Sequence, residues 1–157
     1  MSDLISYGTG TEPDAPSAIS NSVFWPDIDP ADFADTNRVD SSITAPRVED
    51  ALRVAMADVN RQLKDWQAAQ EENGAETIDD VSPPSWSTAD HYTLLYTRAI
   101  YATARASLYE RYLDHSATNS GDEKGEAKNI AADDYRRDAR WAIAELIGKT
   151  HMTVELI

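Results

Sequence analysis

In three long stretches of this chain the apolar residues return every three or four positions, the spacing that lays an apolar stripe along one side of an α-helix. The first is Val48, Leu52, Ala55 and Met56, Val59, Leu63, Trp66. Thr44 stands before it as an N-cap, Pro46 falls in its first turn, and Asn73-Gly74 closes it, so a helix is predicted over 45–72. The second stripe holds Leu94, Leu95, Tyr96, Ile100, Tyr101, Ala104, Leu108, Tyr109, Tyr112 and Leu113, in a helix predicted over 89–116 with Thr88 as its cap. Small residues (Ala99, Ala102, Ala104, Ala106) are set among the large ones, which lets a neighbouring helix approach closely. This helix is therefore expected to be the most buried. The third has Tyr135, Ala139, Ala142 and Leu146 facing inward, Trp141 and Ile143 beside them, and a stop at Gly148. Its start is placed at Asp122 or only near Asn129, because Gly125 weakens the first turns.

Shorter signals fill the gaps. Asp29-Pro30 is a helix start, an acidic cap followed by proline, and predicts a short helix over 30–38 with Phe33 inward. Just before it, Phe24, Trp25 and Ile28 bracket Pro26. These aromatics either cover the end of a helical core or offer contacts to a partner. Residues 74–86 read as a loop or short irregular connection and 116–121 as a loop, both rich in small polar residues, Pro or Gly. Residues 1–22 are small and polar, and cannot offset the entropy of ordering unless a partner helps. At the other end, Thr153, Val154, Glu155, Leu156 and Ile157 favour a strand that five residues cannot bury alone, which suggests a docking peg. The fold is thus predicted to be all-α, a small bundle of about four helices. Residues 1–22 form a flexible N-terminal arm, 23–148 the helical domain and 149–157 a short strand-like C-terminal tail.

A chain of 157 residues fits one domain and can bury roughly two-thirds of its unfolded surface, so neither disulfides nor a structural metal is demanded. There are no cysteines, which removes thiolate zinc sites and thiol nucleophiles. The N-terminus lacks the basic and apolar regions of a signal peptide, and Arg or Asp interrupts every apolar stretch, so no membrane partner is expected. Net charge is −14, and residues 1–50 account for −8 of it, with ten acids against Arg38 and Arg47. A tight nucleic-acid binder would show a basic stripe, and this chain has none.

The search for chemistry is short. His91, His115 and His151 lie in separate segments with no ligand spacing between them, and read as surface or boundary residues. Asp27, Asp29 and Asp32 cluster, but no glycine wraps a calcium loop there, and helix capping accounts for Asp29. No phosphate-binding glycine loop and no glycine-flanked nucleophile turn occur. Catalytic residues, metal and cofactor are accordingly predicted to be none.

Five blocks, taken in order, carry a more specific message: Phe24-Trp25-Pro26-Asp27-Ile28-Asp29, Thr44-Ala45-Pro46-Arg47, Ala55-Met56-Ala57-Asp58-Val59-Asn60, Tyr135-Arg136-Arg137-Asp138-Ala139-Arg140-Trp141-Ala142-Ile143, and Thr153-Val154-Glu155-Leu156-Ile157. Together they resemble the head completion (head stabilisation) proteins of Peduovirus-type contractile-tailed phages, over roughly residues 20–157. The resemblance implies a virion component, made in the host cytoplasm, with no catalytic residues. It implies a helical adaptor that forms a ring of about twelve copies beneath the portal protein after DNA packaging. Such a ring stabilises the filled head and presents the docking surface for a downstream neck or tail-terminator protein, while viral DNA passes through unbound. About twelve copies would sum to a formal charge of about −168, and an acidic lumen would repel phosphates. Residues 153–157, with Phe24, Trp25 and Ile28, are the expected partner-binding set, the tail adding a strand to the portal or an adjacent subunit.

Two other classes compete. An acidic helical DNA mimic that occupies the groove of a basic DNA-processing protein would array its charge along one surface, whereas here the acids concentrate in the N-terminal third. A small helical hydrolase would need a convergent polar pocket, and the sequence offers no candidate.

Overall fold

The structure, a computed structural model, describes residues 17–116 and 121–149. The expected arm as far as residue 16, residues 117–120 of the second loop and the expected tail from residue 150 onward lie outside the described residues. Four α-helices follow in order: α1 (Pro30–Asn37), α2 (Ala45–Glu72), α3 (His91–Ser116) and α4 (Gly121–Ile147), with a short 3-10 helix, Ile78–Asp80, between α2 and α3. Among the described residues there is no sheet, only an isolated antiparallel bridge between Ile19 and Ile28.

The start and stop signals act as their chemistry requires. The Asp29 carboxylate accepts from the Ala31 amide at 2.8 Å and Pro30 opens α1. Thr44 caps α2 through its backbone carbonyl alone, which accepts from Arg47 and Val48. The ends of α1, α2 and α4 share one closing motif, an amide reaching back five residues: Val39 to Ala34 at 3.1 Å, Ala75 to Gln70 at 3.1 Å and Lys149 to Ala144 at 2.8 Å. The motif needs a left-handed residue just past the helix. Gly74 and Gly148 supply it at φ 97 and 80, but α1 uses Arg38 at φ 48.

Helices α2, α3 and α4 run up, down and up. Trp66 near the end of α2 meets Tyr92 near the start of α3 at 5.3 Å between ring centroids, while Asp50 at the start of α2 meets Arg111 near the end of α3 at 3.1 Å. Tyr109 of α3 meets Tyr135 of α4 at 5.5 Å. The middle helix is buried by both neighbours, and Ala99 and Ala104 are fully enclosed. A small residue at such a crossing is what lets two backbones pack closely. Short α1 lies across α3, its Phe33 completely buried and edge-on to Tyr101 at 5.1 Å.

Several details differ from the sequence reading. Leu94, expected on the α3 stripe, is 55% exposed, because the stripe turns past it between two helical neighbours. Trp141 is 47% exposed and lies under the Arg137 guanidinium at 5.0 Å, rather than beside the inward positions of α4. The 74–86 connection holds one 3-10 turn. Thr77 and Asp80 form a reciprocal cap on the 3-10 turn, which drives Ile78 into the core. His91 is buried rather than at the surface: its Nδ1 is 2.6 Å from the Ser87 hydroxyl and its ring sits between Trp86 and Tyr92. The side chains of Tyr112, Leu113 and His115 lie outside those described, as does His151.

Candidate assembly surface

Residues 17–22, read from sequence as the end of a free arm, are tied into the body. Ile19 is buried and exchanges two backbone hydrogen bonds with Ile28, at 2.7 and 3.0 Å. Next to this bridge Asn21 enters a closed polar cycle. Its Nδ2 donates to the Tyr96 hydroxyl at 2.6 Å, that hydroxyl donates to Asn60 Oδ1 at 2.6 Å, and Asn60 Nδ2 donates back to Asn21 Oδ1 at 3.0 Å. Burial pushes the Tyr96 hydroxyl well above its ordinary value of 10.0, so it stays a neutral donor. A cycle of this kind joins the N-terminal segment, α2 and α3 with every member satisfied, which is what makes a buried polar group tolerable.

The aromatic pair follows at once. Phe24, Trp25 and Ile28 are each 2–3% exposed. Trp25 stacks on Tyr96 at 4.4 Å with planes 9° apart, and its indole N–H donates to Gln67 at 2.8 Å. Phe24 is edge-on to Trp25 at 4.9 Å, and the Phe24 carbonyl accepts from the Ile78 amide at 2.9 Å. Of the two sequence readings for these residues, the covering role describes them. Their side chains have almost no surface left for a partner. Val23, between them and the bridge, is 87% exposed. Residues 153–157, the rest of the expected partner set, lie outside the described residues.

Charge is divided between two kinds of surface. All six ion pairs among the described residues involve α2, α3 or α4. They include Arg111 with Asp50 and Arg136 with Glu110, which cross between helices. The carboxylates of α1 and the 3-10 segment instead meet hydroxyls and amides. Asp32 accepts from the Tyr101 hydroxyl at 2.5 Å, Asp79 from Thr93 at 2.9 Å, and Asp80 from the Thr77 and Glu76 amides at 2.8 and 3.0 Å. Asp32, Asp90 and Asp138 line one open cleft of about 480 Å³, with Arg98 as its cation. Among the described residues no group of His, Cys, Asp or Glu is arranged to hold a metal, and no helix is long and apolar enough to cross a membrane.

A second cleft, of about 260 Å³, lies where α1 turns into α2 against α3, with walls from Arg38, Val39, Asp40, Ile43, Arg105, Leu108 and Tyr109. The Arg105 guanidinium lies 5.5 Å from the Tyr109 ring centre and 4.9 Å from that of Tyr135, and donates to the Asn37 carbonyl and the Tyr109 hydroxyl. Its Nε is buried with no hydrogen-bond partner. Sequence reasoning overlooked this cleft, because Arg38 and Arg105 stand 67 positions apart and only the crossing of α1 over α3 joins them. The one available signal was an arginine where the helix-stop pattern favours glycine.

Comparison with known proteins adds what geometry does not. A family model described as phage head completion protein (GPL) matches residues 19–157, beginning at the residue that the bridge anchors. The head completion/stabilization protein of Escherichia phage P2 is 32% identical over 154 residues, covering 98% of this chain and 89% of that protein. The probable head completion/stabilization protein of Haemophilus phage HP1 (strain HP1c1) is 26% identical over 144 residues, covering 90% and 93%. No solved structure matches significantly.

Proposed function

The chain belongs to the phage head completion protein family, and from that premise we propose that it works as a connector in a ring beneath the portal. The family assignment carries a structural role in completing and stabilising the phage head, placed in the virion. The match over residues 19–157 is the observation on which this rests. The finer reading is a ring of about twelve copies, assembled on the portal after packaging and recognised by the next neck or tail protein. A helical body whose N-terminal segment is tied in by the satisfied Asn21–Tyr96–Asn60 cycle suits a load-bearing ring segment. A surface of carboxylates with no ion pair among the described residues, such as the Asp32, Asp90 and Asp138 cleft, suits a lumen through which DNA slides without adhering. Residues 153–157 serve as the peg onto the portal or the neighbouring copy.

Deletion of residues 152–157 tests the reading. Helicity and melting temperature of the free protein should stay nearly unchanged, while attachment to filled heads is abolished. Unfolding of the shortened protein would make the tail part of the core and end the peg idea. Electron cryomicroscopy of the neck tests the lumen, and a bore lined by Lys and Arg would refute it.

A further inference from the structure

We infer that the end of the bundle where α2 stops and α3 starts is the face that docks on the portal protein, against a basic portal surface with apolar recesses for Trp86 and Val23. This rests on the ring reading above. Between Lys64 and Arg98 the sequence holds seven acids and no Lys or Arg. Glu71, Glu72, Glu76, Asp79 and Asp80 are all exposed there, and none forms an ion pair among the described residues. The bond from Thr93 to Asp79 fixes the 3-10 turn beside the first turn of α3, so these carboxylates share one end of the molecule.

Out of this acidic end stand the two most exposed large apolar side chains of the described residues, Val23 at 87% and Trp86 at 74%. A continuous run of ring contacts places them there. Phe24, next to Val23, meets Trp66 at 6.2 Å, Trp66 meets Tyr92 at 5.3 Å, Tyr92 meets His91 at 5.0 Å, and His91 meets Trp86 at 5.3 Å. Both side chains rise from backbone that is tied down. The Trp25 amide donates to the Ser22 carbonyl at 3.0 Å around Val23, and the Ser87 amide donates to the Pro84 carbonyl at 3.0 Å around Trp86. The Ser87 hydroxyl is also 2.6 Å from Nδ1 of the buried His91. A tryptophan on ordered backbone, left in water, has the make-up of an interface anchor, because a large aromatic with two side-chain torsions loses little freedom on binding.

Charge and chain path select the occupant. This end repels nucleic acid, and two copies meeting through it would set like charges face to face, so the complementary surface is basic and belongs to a different protein. Helix α4 runs parallel to α2, so the chain leaves the described body at this same end, at Lys149. The residues proposed above as the peg follow from there. A peg and a face at one end act on one partner, and the portal is the partner on the head side.

The test uses the full-length protein and purified portal protein, with affinity followed by biolayer interferometry at several salt concentrations. Wild-type binding is expected to weaken as salt rises. Trp86→Ser, and separately Glu72→Lys combined with Glu76→Lys, should each weaken binding at least about tenfold, and the charge-reversed protein should lose the salt dependence. Val54→Ser, on an exposed side chain in the first half of α2, should bind as wild type does. Urea unfolding midpoints of all these proteins should stay near wild type, since every altered side chain is exposed. A smaller loss in either variant, or an equal loss in Val54→Ser, overturns the inference. So does normal portal binding with lost attachment of the next neck protein. If wild-type protein does not bind portal at all, the ring reading falls; if it binds and the variants bind equally, only the face assignment falls.

Discussion

Replacing Tyr96 by Phe removes one oxygen from the cycle that ties the N-terminal segment to α2 and α3. The ring is fully buried and its stack on Trp25 at 4.4 Å survives the change, so hydrophobic burial is nearly constant. Two hydrogen bonds at 2.6 Å are lost. Asn21 Nδ2 still donates to the Pro26 carbonyl at 2.9 Å, but Asn60 Oδ1 loses its donor inside the protein. A net hydrogen bond contributes about 0.5–1.5 kcal/mol, and stranding a buried acceptor costs about 1–3, so the expected loss is ~1–3 kcal/mol. For a domain of this size that lowers the melting temperature by roughly 2–4 °C per kcal/mol. Urea unfolding should show a lower midpoint with an unchanged slope. Adding Asn60→Ala should then cost less than the sum of the single changes, because the acceptor that Tyr96→Phe strands is already gone. A loss below about 0.5 kcal/mol, or strict additivity, would refute the view that the cycle is a dry, satisfied network. The hydroxyl also sets an alkaline limit. Its folded pKa is raised above 10.0, so its stabilisation is complete below that pH and is lost as pH rises beyond it. Tyr96→Phe should flatten that alkaline decline in the unfolding midpoint.

Four further substitutions probe other parts of the chain. Trp25→Ala should destabilise by ~3–5 kcal/mol in urea, whereas Val23→Ser, two residues away and exposed, should stay within about 0.5 kcal/mol; equal effects would mean the Phe24-Trp25 pair is not core. Gly148→Ala places a Cβ at φ 80 in open space, so only backbone strain opposes it, and a loss of ~1–2 kcal/mol in thermal unfolding is expected; no loss would mean that the α4 stop does not hold its turn. Asp80 has its carboxyl lowered below 3.8 by bonds from the Thr77 and Glu76 amides, so it stabilises the fold above that pH and the benefit disappears as pH falls through its folded value. Asp80→Asn should therefore make the acid limb of the stability profile shallower, and an unchanged limb would show that the carboxylate is idle.

Which features were legible in sequence follows from which forces are local. Helix bounds near Pro30, Ala45 and Glu72 could be read because caps and stops are set by residues a few positions apart: Asp29 before Pro30, Asn73-Gly74 after Glu72. Which side of α3 is buried could not be read so well. A helix packed by neighbours on several sides carries apolar residues almost all round, and periodicity alone could not show that Leu94 is left outside. Ile78 was hidden for the opposite reason, as a lone apolar residue in a polar connection whose inward turn is imposed by Thr77 and Asp80. The Asn21–Tyr96–Asn60 cycle and the Arg38–Arg105 cleft are non-local in the strict sense: their members are 36 to 75 residues apart, and only the docking of the N-terminal segment and of α1 brings them together. The same docking reassigns Phe24 and Trp25. An aromatic pair beside a proline resembles a partner contact until Tyr96 and Trp66 are seen to take both rings. With those rings enclosed, Val23 is the large apolar side chain that this segment leaves outside.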